Sequence, residues 1–302
     1  MDLSVELAPS QKLGLPLRNP IMIASGFGGY SVELAKAGDL SRLGALVTGP
    51  VSRRAWPGAA QPRLREVPGG YLARTGKQNP GLRSVLRDHA RAWANLGLPI
   101  IVRLAGADGY EQASVAARLE SVAGVAGFEM SIAGSEDDEE RLALGLEAVE
   151  AVREATVLPL IVSLPFPVAA SLPRQCAEAG ADALCLTSSL LGTAPSSEGR
   201  AAWQGQFFGP AVLPLVLREF ERVAASSDLP LIGRGGIHTS EDALAFLRMG
   251  AQAVQIDSAV LRQPTAPWDI LAGLEQWMAQ EGARGIAEVI GSARRQGNPS
   301  DR

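Results

Sequence analysis

The chain has 302 residues, 46% of them hydrophobic and 20% charged, with a formal net charge of −4. That apolar fraction can fill a sizeable core, so a disordered chain is excluded, and the length suits one large α/β barrel. There is no basic block to neutralise nucleic acid, no apolar run as long as a membrane span, and no disulfide framework in two cysteines, so a reducing cytoplasm is the expected setting.

Residues 3–17, two apolar stretches around Pro9-Ser10, predict an N-terminal β-hairpin beneath the main fold. Eight short apolar runs follow, at 21–25, 45–51, 100–104, 127–132, 160–164, 183–189, 231–237 and 253–260. Their length and β-branched content suit strands buried on both faces. Helical stripes separate them: Leu82, Val85, Leu86, His89, Trp93 and Leu96 share one face, Val115, Leu119 and Val122 another, and Ile270, Leu271, Leu274, Trp277 and Met278 a third. Prolines at 99, 159 and 230 mark helix ends just before strands. Eight strands alternating with helices, without a break in composition, predict a single (β/α)8 TIM barrel over 1–302, with a frayed tail at 294–302.

In such a barrel the ligand-binding residues stand at the C-terminal ends of the strands. The seventh strand ends in Gly235 and Gly236, followed by His238 and a helix opening Thr239-Ser240-Glu241-Asp242, and the eighth runs into Asp257-Ser258. The loops after these two strands form the recurrent phosphate site of barrels, with glycines that admit close backbone approach. Asp257 opposes an anion there. Two unit charges about 4 Å apart at an effective dielectric of about 20 repel by about 4 kcal/mol, and a helix N-terminus returns only ~0.3–2 kcal/mol. Arg234 is the residue that could offset it.

Several strings resemble the soluble class of dihydroorotate dehydrogenases. They are Asn19-Pro20-Ile21-Met22-Ile23-Ala24-Ser25-Gly26, Leu43-Gly44-Ala45-Leu46-Val47-Thr48, Gln78-Asn79-Pro80-Gly81, Gly209-Pro210-Ala211, Leu231-Ile232-Gly233 with Gly235-Gly236-Ile237, and Ala253-Val254-Gln255. The likeness is closest to the form that works with a separate iron–sulfur flavoprotein subunit. It implies an FMN-dependent oxidoreductase of pyrimidine metabolism, with FMN at the strand ends contacted by Ala24, Ser25, Gly209, Gly235, Gly236 and Ser258. It also implies substrate contacts from Asn79 and from positions 103 and 188, here Arg103 and Ser188. A homodimer or a partner subunit follows from the same likeness.

Departures gather where the family does its chemistry. The lysine after the second strand's threonine is Gly49, the lysine of the fifth strand is Ser163, the third-strand asparagine is Arg103, and the eighth-strand glycine is Asp257. The base that takes the substrate proton falls at Gly134, leaving Ser135 as the nearest hydroxyl. Lost amines and an added carboxylate argue against tight FMN binding and predict that dihydroorotate oxidation is lost or changed. The alternatives are a non-catalytic barrel, a pseudoenzyme that binds a partner or another small ligand without FMN, and a lyase or isomerase using Asp257 or Ser135. Arg103, Lys77 and Arg234 are the cations that could replace the lost charge. The acidic run from Glu136 to Glu140 reads as a helix start. Cys176, Cys185 and His89 read as structural, Trp56 and Trp203 as exposed loop aromatics on a contact surface, and no Cys/His spacing suggests a metal.

Overall fold

Strands that are apolar on both faces find cover only inside a closed sheet ringed by helices, and that is how these runs fold. The computed structural model describes residues 1–133, 138–186, 190–195 and 202–295. Its strands are β1 (Val5–Glu6), β2 (Pro16–Leu17), β3 (Ile21–Ile23), β4 (Ala45–Val51), β5 (Leu64–Val67), β6 (Gly70–Ala73), β7 (Ile100–Leu104), β8 (Val125–Ser131), β9 (Leu160–Leu164), β10 (Ala183–Leu186), β11 (Leu191–Ala194), β12 (Trp203–Phe208), β13 (Leu231–Arg234) and β14 (Ala253–Ile256). β3, β4, β7, β8, β9, β10, β13 and β14 pair in parallel and close into the expected barrel.

β4, β7 and β9 have the bounds that the apolar runs predict. β3, β13 and β14 stop sooner than expected, at Ile23, Arg234 and Ile256, where the chain leaves the sheet through Ala24-Ser25, the positive-φ glycines Gly235 and Gly236, and Asp257-Ser258. β1 and β2 form the N-terminal antiparallel hairpin. It buries Leu7, Leu15 and Leu17 in the core, and Gln11 Nε2 donates to the carbonyl of Val157 just before β9, so the hairpin sits at the bottom of the barrel.

A four-stranded antiparallel sheet that the apolar runs do not announce, ordered β11-β12-β6-β5, is built from the chain after β4 and after β10. β5 and β6 are joined through Pro68-Gly69, and Gly69 has φ +81°, the conformation a turn of proline then glycine requires. This excursion corrects the expectation for two tryptophans. Trp203 is half-buried in β12 with the Arg74 guanidinium 5.3 Å from its ring centroid. Trp56, also half-buried, exchanges backbone hydrogen bonds with Asn79, so neither ring stands free on the surface.

Helix Glu139–Ala155 begins at Asp138, whose carboxylate accepts from the Arg141 amide at 3.3 Å, so Asp138, Glu139 and Glu140 do the work of a helix start. Among the described residues no helix is long and apolar enough to cross a membrane.

Candidate active site

Adjacent residues of parallel strands point to the same side, so the register places polar side chains together inside the barrel. Arg103 of β7 lies beside Glu129 of β8, Ser163 of β9 beside Cys185 of β10, and Arg234 of β13 beside Gln255 of β14. Glu129 is fully buried. Its Oε1 receives Arg103 Nη1 and, at 3.2 Å, the Ser163 hydroxyl; its Oε2 receives Gln255 Nε2 at 2.5 Å. Arg103 Nη1 also donates to Ser163 Oγ at 2.9 Å. The arginine therefore crosses over β8 and delivers its guanidinium to Ser163, the position where the resemblance expects a lysine.

Glu129 and Gln255 were not singled out from the sequence, although a signal existed. A carboxylate inside a run otherwise buried on both faces must meet a cation or strong donors, because an unpaired buried charge is too costly. Cys185 touches the same cluster; burial pushes its thiol up, and burial lifts that of Cys176 to about 12, so both are poor nucleophiles.

A second pair forms at the ends of β13 and β14. Arg234 Nε lies 4.0 Å from Asp257 Oδ2, and both side chains are buried. Asp257 Oδ1 is turned onto the next residue and accepts from the Ser258 amide and, at 3.0 Å, from the Ser258 hydroxyl. Among the described residues Arg234 Nε and Asp257 Oδ2 have no hydrogen-bond partner. The arginine has thus turned in to offset the carboxylate while keeping a buried donor unsatisfied, as an oxygen of an anion would satisfy it.

His238 Nε2 lies 3.3 Å from Ser258 Oγ, and burial holds its imidazole below the ordinary value of 6.5 against the pull of Asp257 and Asp242. A depressed pKa in the fold means that the unfolded chain binds more protons, so this stability is present above 6.5 and is lost as pH falls through the lowered value. Acidification from pH 7.5 to 5.5 should lower the unfolding midpoint less in His238→Gln than in the parent, as a pH series of melting curves reads directly.

Gly49 shows why restoring a lysine there is not simple. A Cβ at Gly49 would meet the Tyr30 ring at 2.7 Å, and Tyr30 Oη is fixed by donating to the Pro50 carbonyl at 2.8 Å. The expected result for Gly49→Lys is a loss of about 1–3 kcal/mol from overpacking, with no gain in FMN affinity. Combining it with Tyr30→Ala should recover the space; urea unfolding and flavin titration check both.

The remaining sequence-derived positions fall around this floor. The Ala24 amide donates to the Ile256 carbonyl at 2.9 Å, and Ser25 Oγ donates to the Thr48 carbonyl at 2.8 Å. Gly209 and Gly236 serve packing: a Cβ would strike the Gly69 carbonyl at 2.4 Å and the Leu213 amide nitrogen at 2.7 Å, respectively. Gly235 has φ +117°. Asn79 is buried; its Oδ1 accepts from Ser52 N, Ser52 Oγ and Gly81 N, and its Nδ2 donates to the Lys77 carbonyl, leaving one amide hydrogen. Gly134, Ser135 and Ser188 lie outside the described residues. Among those described, no three His, Cys, Asp or Glu side chains converge as a metal site.

The sequence profile of dihydroorotate dehydrogenase matches residues 8–278. The chain is 37% identical over 303 residues to the dihydroorotate dehydrogenase B (NAD(+)) catalytic subunit of Pelobacter propionicus, covering 96% of this chain and 98% of that one. It is 38% identical over 296 residues to the protein of the same name from Desulforudis audaxviator, covering 94% and 96%.

Proposed function

The chain belongs to the dihydroorotate dehydrogenase family, and from that premise we propose that it is an FMN-dependent oxidoreductase acting on CH–CH groups, with dihydroorotate oxidation changed. The observation that carries this reading is the Arg103 guanidinium bonded to Ser163. The positive charge expected at the fifth strand has moved to the third strand and reaches the same place, with Glu129 and Gln255 fixing it. Arg234 supports phosphate binding by offsetting Asp257 and keeping a buried Nε free for an acceptor.

These residues fit FMN. Arg234 and the Gly235–Gly236 turn would hold its phosphate, and Arg103 would present positive charge to the ring; Ala24 and Ser25 would flank it. FMN, when bound, supplies a two-electron acceptor for hydride. The protein must bind and orient the substrate, exclude water, and receive the proton left when a CH–CH bond is oxidised. The residue aligned with the family's base is Gly134, which has no side chain, and a base contributes about 10²–10⁴-fold. The names of the relatives, catalytic subunits, support a partner subunit as the electron outlet, and two buried free cysteines suit a cytoplasmic protein.

The test is anaerobic mixing of the FMN-loaded protein with dihydroorotate, following loss of flavin colour beside the Pelobacter relative. Bleaching slower by about 10²–10⁴-fold is expected. Bleaching at the relative's rate would overturn the changed proton step, and a protein that never takes up FMN would overturn the oxidoreductase reading.

A further inference from the structure

The two oxygens of Glu129 are divided between opposite sides of the closed sheet. Oε1 accepts from Arg103 of β7 and Ser163 of β9, the strands on either side of β8, while Oε2 accepts from Gln255 of β14 at 2.5 Å. Three groups donate to this one side chain, which has no exposure to solvent, and an ionised carboxylate is what accepts at every contact. Arg103 keeps its proton in any folded protein, so the two form a buried ion pair.

The pair has a direction. Arg103 is the residue before the end of β7, and its side chain is 15% exposed, whereas that of Glu129 is not exposed at all. The cation therefore stands on the open side and the anion behind it. The Arg103 amide donates to Thr48 Oγ1 at 3.2 Å, so the backbone is tied to β4 as the guanidinium is tied to β8 and β9. Coulomb attraction falls with distance, and an anion about twice as far from a ligand as the cation cancels about half of the attraction. Arg103 thus meets a ligand as a weakened cation, and the weakening depends on Glu129 being held in place by Gln255 and Ser163.

We propose that Glu129 is a positioning residue that fixes Arg103 at the barrel mouth and attenuates its charge, and so sets how strongly the site prefers reduced FMN over oxidised FMN. This rests on the FMN reading of the site. Reduction adds two electrons and one proton to the flavin and leaves a negative charge on its ring, and an unattenuated cation would favour that form far more.

Glu129→Gln tests the proposal, because glutamine keeps the shape and removes the charge. Each full-length protein is titrated with oxidised FMN and, anaerobically, with FMN reduced beforehand by dithionite, and the ratio of the two dissociation constants is read. For a cation about 4 Å from the ring at an effective dielectric of about 20, Glu129→Gln should shift the ratio toward reduced FMN by on the order of 30-fold, about 45 mV for a two-electron couple. Arg103→Met/Glu129→Leu, which removes the whole pair, should shift it the other way by a similar factor. A shift near 10³-fold in the double variant would make Arg103 a full cation and overturn the attenuation. An unchanged ratio in either variant, even with a lowered unfolding midpoint, would make Glu129 purely structural and overturn the proposal too. Should Glu129→Gln fail to fold, the double variant decides alone. A parent that binds neither form of FMN overturns the oxidoreductase reading and this proposal together, whereas binding with an unchanged ratio overturns only the role given to Glu129.

Discussion

Replacing Arg103 with methionine should destabilise the barrel by about 3–5 kcal/mol, the cost of leaving a buried carboxylate without its cation. Glu129 has no exposure to solvent and would keep only the Gln255 amide and the Ser163 hydroxyl. For a domain of this size the unfolding midpoint should fall on the order of 10 °C. The double variant Arg103→Met/Glu129→Leu should regain most of that loss, because a well-packed apolar pair often matches a buried ion pair. FMN affinity should stay low in the double variant, since the cation beside Ser163 is gone. Denaturant unfolding and flavin titration on the four proteins of this cycle separate the two effects. Equal stability of Arg103→Met and the parent would mean that Glu129 is not held as an anion by Arg103.

The second large effect is expected at Arg234. Removing it exposes a bound phosphate to the uncompensated charge of Asp257, which lies 4.0 Å from Arg234 Nε. A repulsion of about 4 kcal/mol, for charges about 4 Å apart at an effective dielectric of about 20, corresponds to an FMN affinity lower by on the order of 10³-fold in Arg234→Met. Asp257→Asn should bind FMN more tightly than the parent, and the pair Arg234→Met/Asp257→Asn should return to within about tenfold of it. An unchanged affinity in Arg234→Met would place the phosphate away from this corner.

The barrel was legible because its signal is local. Short β-branched runs, helical stripes and prolines at 99, 159 and 230 each report on neighbours in the chain, and β4, β7 and β9 emerged with the bounds those runs imply. The antiparallel sheet was not legible, since β12, itself paired with β11, pairs with β6 across more than a hundred residues, and the strands are short and mixed in polarity. The site was legible in its composition and not in its geometry. The sequence displays Gly49 and Ser163 as two missing amines. It cannot display that Tyr30 fills the space beside Gly49, or that Arg103 reaches across β8 to Ser163. For Asp257 the sequence offers Arg234 as a possible counter-charge, and the closed sheet supplies the approach of 4.0 Å. In each case the compensating residue comes from another strand or loop, and only the closed sheet brings the two together. Glu129 is the instructive omission: it sits in the middle of an apolar strand, and the three residues that hold its oxygens are 26, 34 and 126 positions away.

The proposed function requires that the barrel mouth, with its charges rearranged onto Arg103 and Arg234, still hold a flavin. The direct measurement is the flavin content of the purified full-length protein after incubation with FMN and removal of the excess. Near-stoichiometric, protein-bound FMN is the predicted result. A colourless protein that ignores added FMN, while remaining folded by circular dichroism, would contradict it.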